Sequence, residues 1–541
     1  MTADENSVLA ALWANVQAHP DHTAFRFVRR RGELGDTLSV GELWKNAEAV
    51  AHALPDMADA KHTGVMLFCG DAQTFVTAMI AAWMRGATVI PAAGGMNAGL
   101  AERNKQIIDA GKPDIILHDL TEARAADLKR LAPEAEILDV NLIGKATRPR
   151  SNRDETFDLS GGQLLQFTSG STNAAKAVLL TPEDIALNAK HIRDTYGLDP
   201  NGTCVHWLPL YHDMGLVGSV LAPLYAGQPS VLIRPSVFIQ NPLEWLDHLT
   251  QWRATITSSP NFAYDMLVNR LDKTPEGKWD LSSLQTFICG GEPVREDTIG
   301  RVVDRLGRYG LSKAAIAPSY GMAEAVLMIS SGQRQDGPKF LRRQNEQSLA
   351  CLGKPGGGVE VDIVEPISRA GVEHGTFGEV WIKGCGCGRV IPQGQSWRVP
   401  YDKKAIRTGD WGMIVDGDIY IAGRDADRII LRGRNVLAED IEAIVYASQP
   451  EAGAADGVVA FGIPQNGTEV LHVLVERGRD GPAFNERAFF SLLGARLDIR
   501  CEGVTVVRRG SLPRTTSGKV RRAASRDAFL ELWQDQKGIE R

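Results

Sequence analysis

A loop rich in hydroxyl groups occupies residues 166–181, with the sequence QFTSGSTNAAKAVLLT. Its serine, threonine and glycine residues follow a short apolar run, and a lysine, Lys176, comes shortly after them. Hydroxyl, amide and ammonium groups are donors that bind phosphate oxygens, so the loop is a candidate phosphate site. Its spacing differs from that of the P-loop, in which glycine, lysine and a hydroxyl residue are contiguous ahead of a helix. Taken alone, the loop is more simply explained as an ordinary turn.

Further stretches, in a fixed order along the chain, carry residue types that nucleotide chemistry needs. They are LPLYHDMGL (208–216), SSPNFAYDML (258–267), GGEPVR (290–295), YGMAEA (320–325), RTGDWG (407–412), GRDADRIILRGRN (423–435) and LPRTTSGKVRR (512–522). Taken singly, each has a structural explanation: Asp410 suits a turn, Glu324 could cap a helix, and Lys519 lies in a basic tail of a kind that is normally solvated. The ordered series favours a joint chemical role instead.

The elements around these stretches predict a fold that brings them together. From about Thr37 to Asn261, amphipathic helical segments alternate with apolar runs such as HTGVMLFCG and PDIILHD, which predicts a largely parallel sheet covered on both faces. Ligands in such folds bind beyond the carboxyl ends of strands, and TSGST, GGEPV and SYGMAEA each follow a predicted strand. Between about Cys351 and Gly423, alternating strands joined by glycine turns predict a small antiparallel β unit. The chain after Arg424 predicts a compact α+β domain of about 115 residues.

Composition and charge exclude several classes of protein. The chain has 541 residues, of which 43% are hydrophobic and 23% charged, and this predicts a globular protein of two or three domains. A net charge of -6 and a pI near 6.1 argue against a nucleic-acid scaffold, which is usually basic. The amino-terminal sequence lacks a signal peptide, and no apolar run is long enough to span a bilayer. Seven scattered cysteines favour reduced thiols, so we expect a soluble, cytoplasmic protein that binds no nucleic acid.

Together, the motifs resemble those of the adenylate-forming acyl ligases, the superfamily of acyl-CoA synthetases, fatty-acyl-AMP ligases, luciferases and adenylation domains. The resemblance runs from about Leu164 to Arg522, and WLPLYHDMGLVGSVLAPLYAG, PNFAYD and GEPVR look most like the fatty-acyl-AMP ligase branch. It implies an α/β fold with a large N-terminal adenylate-forming domain, built of layered parallel sheets with a small β subdomain, and a small mobile α+β C-terminal domain. The expected boundaries are residues 1–423 for the first domain, 424–427 for a hinge and 428–541 for the second domain.

The resemblance also implies roles for individual residues. Lys519 would be catalytic by bridging the carboxylate and the α-phosphate, Glu324 would be catalytic and hold Mg²⁺, and His212 would be either an acyl-pocket gate or a packing residue. Tyr320 would stack on adenine, and Asp410 would accept hydrogen bonds from both ribose hydroxyls. The implied nucleotide-binding set is Thr168, Ser169, Ser171, Thr172, Lys176, Gly290, Gly291, Glu292, Ser319, Tyr320, Gly321, Asp410 and Arg424. The strand after the hinge, RIILRGRN, would line a thiol channel with Gly433 and Arg434, since a glycine backbone permits close approach.

The chain departs from the family pattern at two places. Near its lysine the family loop usually has glycine, proline and glycine, whereas this chain has Asn173, Ala175 and Ala177. Ala177 adds a Cβ where glycine could take unusual backbone angles. The sequence alone therefore does not determine how this loop binds the β- and γ-phosphates. Fatty-acyl-AMP ligases also carry an inserted segment after their YGxAEA motif that hinders the rotation needed for coenzyme A. The corresponding segment here, residues 326–351, is short for that insertion.

We therefore expect an AMP-forming acid–thiol ligase that forms or uses the acyl-adenylate of a large, apolar carboxylic acid. The implied cofactors are ATP, Mg²⁺ and coenzyme A, and the short segment favours coenzyme A as the pantetheine thiol that accepts the acyl group. One alternative is a fatty-acyl-AMP ligase that loads an acyl carrier protein. A second alternative takes a preformed acyl-adenylate and performs only the thiol transfer. A third is a catalytically silent protein that binds a nucleotide or an acyl group.

Overall fold

The computed structural model describes most of the chain. The described residues are 6–28, 33–95, 98–146, 157–169, 175–274, 277–343, 348–400, 402–431, 434–449, 455–465, 468–478, 483–515 and 519–537. Three residues of the expected sites, Ser171, Thr172 and Gly433, lie outside this description, as does the side chain of Ser169.

Helices cover the sheets of the large N-terminal unit. Two of them begin with a capping box: Ser39 and Glu42 start one helix, and Thr181 and Asp184 start another. The helices of this unit are α1 Val8–Ala18, α2 Val40–Ala53, α3 Ala72–Met84, α4 Ala98–Gly111, α5 Glu122–Leu131, α6 Val140–Ala146, α7 Pro182–Tyr196, α8 Asp213–Leu216, α9 Ala222–Ala226, α10 Pro235–Gln240, α11 Leu243–Gln251, α12 Asn261–Leu271 and α13 Glu296–Leu306.

The described strands of the N-terminal unit form two large sheets, a four-stranded sheet and the two-stranded pair β15-β16. The strands are β1 Thr23–Val28, β2 Leu34–Ser39, β3 Gly64–Phe68, β4 Thr88–Pro91, β5 Ile115–His118, β6 Glu136–Asp139, β7 Leu164–Ser169, β8 Ala175–Leu180, β9 Cys204–His206, β10 Ser230–Ile233, β11 Ile256–Ser259, β12 Thr286–Gly290, β13 Ile316–Gly321, β14 Met328–Ser331, β15 Phe340–Leu341, β16 Leu349–Ala350, β17 Glu360–Val364, β18 Gly378–Lys383, β19 Arg389–Ile391, β20 Ile406–Val415 and β21 Asp418–Arg424.

Parallel pairing dominates the two large sheets. One has the order β14-β13-β12-β11-β9-β10-β1-β2 and the other has the order β19-β8-β7-β4-β3-β5-β6. Every pair in the first sheet is parallel except those at its two ends, β13 with β14 and β1 with β2. The smaller sheet, β17-β18-β20-β21, is antiparallel throughout and lies within the segment where glycine turns predict such a unit.

A second, smaller unit follows a single 3₁₀ turn at Asp425–Asp427. Its elements are β22 Arg428–Leu431, β23 Arg434–Leu437, α14 Ala438–Ser448, β24 Ala455–Gln465, β25 Thr468–Arg477, α15 Glu486–Leu497, β26 Cys501–Val507 and α16 Arg522–Lys537. The sequence RIILRGRN, expected to be one strand, instead contains β22 and β23, which pair antiparallel with Leu431 opposite Arg434.

Each unit has its own apolar core. The largest cluster packs α1, α2, α3 and α7 against strands of both large sheets. In the smaller unit, α14 and α15 pack against β24 and β25 through side chains such as Ile441, Phe489 and Val473, which are fully or almost fully buried. Burying these apolar faces is the main favourable contribution to folding. Among the described residues, no helix combines the length and the apolar character needed to cross a membrane.

Candidate functional site

A cleft of about 1970 Å³ lies between the large and small units. Many of the expected nucleotide-binding residues line it, although they come from widely separated parts of the chain. They are Gly291, Glu292, Ser319, Tyr320, Gly321, Asp410 and Arg424, and Lys519 lines it from the small unit. The cleft therefore lies where several strands end, as expected for a ligand site in a parallel α/β fold.

Asp410 and Tyr320 are joined directly. The Tyr320 hydroxyl donates a hydrogen bond to Asp410 Oδ2 at 2.6 Å, and the Arg424 Nε atom lies 3.6 Å from Asp410 Oδ1. Strand pairing places Asp410 opposite Arg424 on β20 and β21. Burial raises the pKa of Asp410, and Arg424 opposes that shift. The result is a carboxylate that is fixed in orientation and can accept hydrogen bonds from a diol.

Glycines at the ends of β12 and β13 keep one wall of the site close-packed. A Cβ on Gly290 would lie 2.8 Å from the Ser319 carbonyl oxygen, and one on Gly321 would lie 1.9 Å from the Leu327 carbonyl oxygen. Gly291 has a φ of +78°, a conformation that favours glycine. The Glu292 carboxylate accepts a hydrogen bond from the Phe262 N–H, while burial raises its pKa. Glycine is therefore required at these strand ends, where a side chain would collide with the neighbouring backbone.

Glu324 and Lys176 form a close ion pair. Lys176 Nζ lies 2.5 Å from Glu324 Oε1, and the Glu324 side chain is only 6% exposed. A buried carboxylate of this kind is a suitable ligand for Mg²⁺, which proteins usually bind through one or two carboxylates together with substrate phosphates. Among the residues that the structure describes, no group of three or more His, Cys, Asp or Glu side chains could hold a metal without such help.

A strained turn holds Glu324 in place. Val326, directly after the 3₁₀ turn Ala323–Ala325, has φ +65° and ψ -62°, and the Leu327 N–H donates to the Ala325 carbonyl at 2.7 Å. These values describe a γ-turn, which a β-branched residue rarely adopts. The Asn188 side chain of α7 fixes it by donating to the carbonyls of Ala325 and Met328 at 3.1 and 2.8 Å. Such strain persists only where surrounding contacts determine the backbone.

The described part of the phosphate loop is a regular strand pair. Thr168 lies opposite Lys176, and Ser169 lies opposite Ala175, at the ends of β7 and β8. Ala177 pairs with Phe167 on one side and with Ile391 of β19 on the other. Its Cβ is therefore accommodated in an extended backbone that does not require glycine. The alanine there is not in itself an obstacle to a loop over phosphate.

Lys519 crosses the cleft from the small unit. Its Nζ donates a hydrogen bond to the Gly291 carbonyl oxygen. Its backbone is held by Thr515: the Thr515 N–H donates to the Lys519 carbonyl at 2.6 Å, and the Lys519 N–H donates to Thr515 Oγ1 at 3.1 Å. Lys519 is also close enough to Asp410 to lower the pKa of that carboxyl, and Glu324 raises it. Three charged groups from three distant segments thus share one site.

His212 lies beside Tyr211 and Asp213 of its own motif and near Arg103, which belongs to no motif. Its ring is 4.9 Å from that of Tyr211, and burial, helped by Arg103 and Lys519, lowers its pKa well below the usual range. Asp213, the first residue of α8, has a pKa raised by burial and is influenced by the charges of Lys519 and Arg103. Arg103 donates to the Phe167 carbonyl at 3.3 Å and stacks on Tyr211 at 5.4 Å. The lowered pKa favours the neutral imidazole, and His212 is not among the residues that line the cleft.

Two further residues near His212, Asp213 and Arg103, were not among the predicted site residues, and the sequence could have indicated only the first. Asp213 stands inside LPLYHDMGL, so its motif places it, whereas Arg103 stands in an amphipathic helix without any local signal. Of the two residues expected in a thiol channel, only Arg434 is described; it is exposed on β23 and is not among the residues lining the cleft.

Known proteins resemble this chain along almost its whole length. The family described as AMP-binding enzyme matches residues 12–390. The medium-chain-fatty-acid–[acyl-carrier-protein] ligase JamA of Moorena producens is 28% identical over 559 residues, covering 95% of this chain and 93% of JamA. The long-chain-fatty-acid–AMP ligase FadD26 of Mycobacterium bovis is 29% identical over 583 residues, covering 97% of each protein.

A solved structure supports the same fold. It comes from structural and functional studies of fatty acyl-adenylate ligases from E. coli and L. pneumophila, is 25% identical, has a TM-score of 0.83, and matches 99% of this chain and 100% of that one. The α/β fold with layered parallel sheets and a smaller second unit, expected from the sequence, is confirmed. The hinge at residues 424–427 and the individual site roles stay predictions.

Proposed function

This chain belongs to the AMP-binding enzymes, and from that premise we propose that it is an acid ligase that activates a fatty acid as its acyl-adenylate. The observation that carries the proposal is that Asp410 and Lys519 line one cleft, where Asp410 also lies within reach of the charge of Glu324. In this reaction a carboxylate oxygen of the fatty acid attacks the α-phosphorus of ATP, the bond to the β-phosphate oxygen breaks, and pyrophosphate leaves. Charge accumulates around the α-phosphate, which is where a preorganised cation is most effective.

The residues of the cleft and of the Glu324–Lys176 pair suit the separate parts of that reaction. Asp410 would accept hydrogen bonds from the ribose hydroxyls, and Tyr320 would lie against the adenine while orienting Asp410. The Lys519 ammonium would lie between the carboxylate and the α-phosphate. Glu324 would hold Mg²⁺, which when bound offsets the negative charge of the outer phosphates. In the nucleotide complex, Lys176 would exchange its contact with Glu324 for those phosphates.

The substrate acid is proposed to be a fatty acid because apolar side chains line one part of the cleft. Trp207, Ile239, Phe262 and Met266 belong to that lining. Ligand sites that bind apolar molecules are lined mainly by hydrophobic and aromatic groups, with few polar groups fixing orientation. The names of JamA and FadD26 specify medium-chain and long-chain fatty acids, which agrees with such a lining.

The proposed second step passes the acyl group to a pantetheine thiol. The thiol sulfur attacks the acyl carbonyl carbon, the bond to the adenylate oxygen breaks, and AMP leaves with that oxygen. We propose an acyl carrier protein as the acceptor, since JamA is named as a ligase of that kind and has a similar length. Coenzyme A, the acceptor expected from the sequence, is the second candidate because the segment 326–351 is short.

The proposal is tested by measuring the two half-reactions separately. Hydroxylamine trapping with a panel of saturated fatty acids, together with ATP–pyrophosphate exchange, should detect the adenylate. The thioester is then measured with holo-acyl carrier protein and with coenzyme A under the same conditions. Exchange with any acid excludes a protein that performs only thiol transfer. Transfer from a synthetic acyl-adenylate without exchange would favour that alternative, and ATP binding with neither activity would leave a silent binding protein.

A further inference from the structure

A single arginine close to Lys519 in the sequence contacts the turn between the two units. Arg522 is the first residue of α16 and stands three positions after Lys519. Its Nη1 contacts Asp427 Oδ2, in the turn Asp425–Asp427. Its Nε and Nη2 atoms lie 3.1 and 2.9 Å from the two carboxylate oxygens of Glu442 on α14. Both side chains of that bidentate pair are largely buried.

The carboxyl groups around Arg522 fix the orientation of its guanidinium. Nη2 also lies 3.2 Å from Glu439 Oε1, so one guanidinium serves three carboxyl groups. Glu442 Oε1 additionally accepts the Ala460 N–H at 3.0 Å, which ties the cluster to β24. A planar guanidinium offers donors in a fixed fork, so the positions of its partners determine its own orientation. Moving Asp427 would therefore change how Arg522 lies.

The Asp427 contact differs in kind from the other two. Glu439 and Glu442 belong to the small unit together with Arg522, and contacts with them stabilise that unit in any orientation. Asp427 belongs to the connecting turn, so its contact exists only while the turn and the amino-terminal end of α16 lie together. The orientation that carries this contact is also the one in which Lys519 reaches Gly291.

We propose that Arg522 is a positioning residue whose ion pair with Asp427 holds Lys519 in the cleft. The inference rests on the proposed function for its chemical consequence, because it assigns Lys519 to adenylate formation. Its physical content is independent: the connecting turn sets the position of a lysine almost one hundred residues away in sequence. A displacement of about 1 Å at a reacting group can lower a rate by about 10²-fold, so a modest loosening should be measurable.

The central variant is Asp427→Asn, which keeps the shape of the side chain and removes its charge. We expect kcat for ATP-dependent adenylation to fall by about tenfold or more, with little change in KM for ATP, because the nucleotide contacts are untouched. Transfer from a supplied acyl-adenylate to a thiol should change far less. The matched control is Asp425→Asn, in the same turn, whose carboxylate pairs with Arg428 instead; it should leave adenylation near the wild-type rate.

A second readout reports on Lys519 without any need for catalysis. Acetylation by an N-hydroxysuccinimide ester, followed by mass spectrometry, measures the reactivity of Lys519 against the exposed Lys383 as an internal reference. Asp427→Asn and Arg522→Lys should each raise Lys519 labelling several-fold, and the double variant should add little to either. If the wild type forms no adenylate, the proposed function fails, yet this labelling still decides the link.

Three outcomes would overturn the inference. The first is unchanged Lys519 labelling in Asp427→Asn, whatever happens to activity. The second is an equal loss of both half-reactions with a lower melting temperature, since a purely structural role of Arg522 would damage the small unit as a whole. The third is an equal effect of Asp425→Asn and Asp427→Asn, because it would indicate a general disturbance of the turn.

Discussion

The two lysines of the site differ in what holds them. Lys176 is paired with a buried carboxylate, Glu324, at 2.5 Å, on a strand that is bonded on both sides. Lys519, in the small unit on the other side of the cleft, contacts the backbone carbonyl of Gly291. A charge-assisted contact to a carbonyl is readily exchanged for one to a developing anion. The position of Lys519 therefore suits a group that acts in one chemical step.

Removing the Lys519 ammonium should separate the half-reactions. We expect Lys519→Ala to lower ATP-dependent adenylation by roughly 10²–10³-fold, the usual cost of losing a donor at developing charge. Transfer from a supplied acyl-adenylate to a thiol should survive. Pyrophosphate exchange measures the first activity and thioester formation the second, and Lys383→Ala, an exposed lysine, serves as the control. An equal loss in both assays, with the protein still folded, would contradict separate steps.

At this scale the sequence could predict residues that stand in motifs and little else. Asp410, Lys519 and Glu324 are recognisable because their neighbours in sequence are distinctive. Arg103 is not, since its position near Phe167 and Tyr211 arises only when α4 packs against the strands that end there. Likewise, no sequence pattern connects Arg522 with Asp427, because long-range ion pairs depend on the tertiary arrangement of elements rather than on local spacing.

Among the elements, the amino-terminal end of α14 carries an unusual carboxyl group. Glu439 is almost fully buried against β21, and a Cβ on Gly423 would lie 2.6 Å from its Oε2. Burial raises the pKa of Glu439 to about 7, with Glu442 and Asp427 adding to the shift and Arg522 opposing it. The carboxyl group therefore binds its proton more tightly in the folded than in the unfolded protein.

This shift gives a pH dependence of stability with a defined sign. Stability should fall as the pH rises from the unfolded pKa of about 4.3 through about 7, because the folded state must then ionise a buried group. Glu439→Gln keeps the neutral shape and removes the titration. The melting temperature of this variant minus that of the wild type should therefore increase between about pH 5 and pH 8. Glu486→Gln, at the exposed first turn of α15, is the matched control for the loss of one carboxylate.

Element types were more predictable than their junctions. Alternating apolar runs and amphipathic segments identify the parallel sheets because burial on both faces leaves a clear pattern. RIILRGRN is the exception: the resemblance implies one strand, whereas the structure has two antiparallel strands, β22 and β23. The reason is that a turn between two short strands depends on their pairing, with Ile429 opposite Val436, and not on the run of apolar residues alone.

For the molecule as a whole, several side-chain contacts join the two units. Arg343 Nη2 lies 2.8 Å from Asp440 Oδ1 of α14, and both side chains are largely buried. The Arg295 guanidinium lies 4.3 Å from the ring of Tyr446 on the same helix. Leu437 packs into an apolar cluster with residues of the N-terminal unit. The short segment 326–351 thus still reaches the small unit, even though it lacks a long insertion.

Weakening the Arg343–Asp440 contact should change the balance between adenylate formation and thiol transfer. Breaking a buried ion pair by removing one partner costs about 3–5 kcal/mol, because a charge is left without its partner. If thiol transfer requires the small unit to leave this orientation, Arg343→Met should lower adenylation and raise the ratio of acyl-coenzyme A to acyl-adenylate by about tenfold. Quenched-flow measurement of both products gives the ratio. Arg342→Met is the matched control, since the side chain of that neighbouring arginine is 85% exposed and makes a long contact, 3.8 Å, with Glu296. A ratio that is the same in both variants and in the wild type would mean that the Arg343 contact does not govern access of the thiol. The choice of acceptor would then depend on the residues that line the path by which the thiol enters.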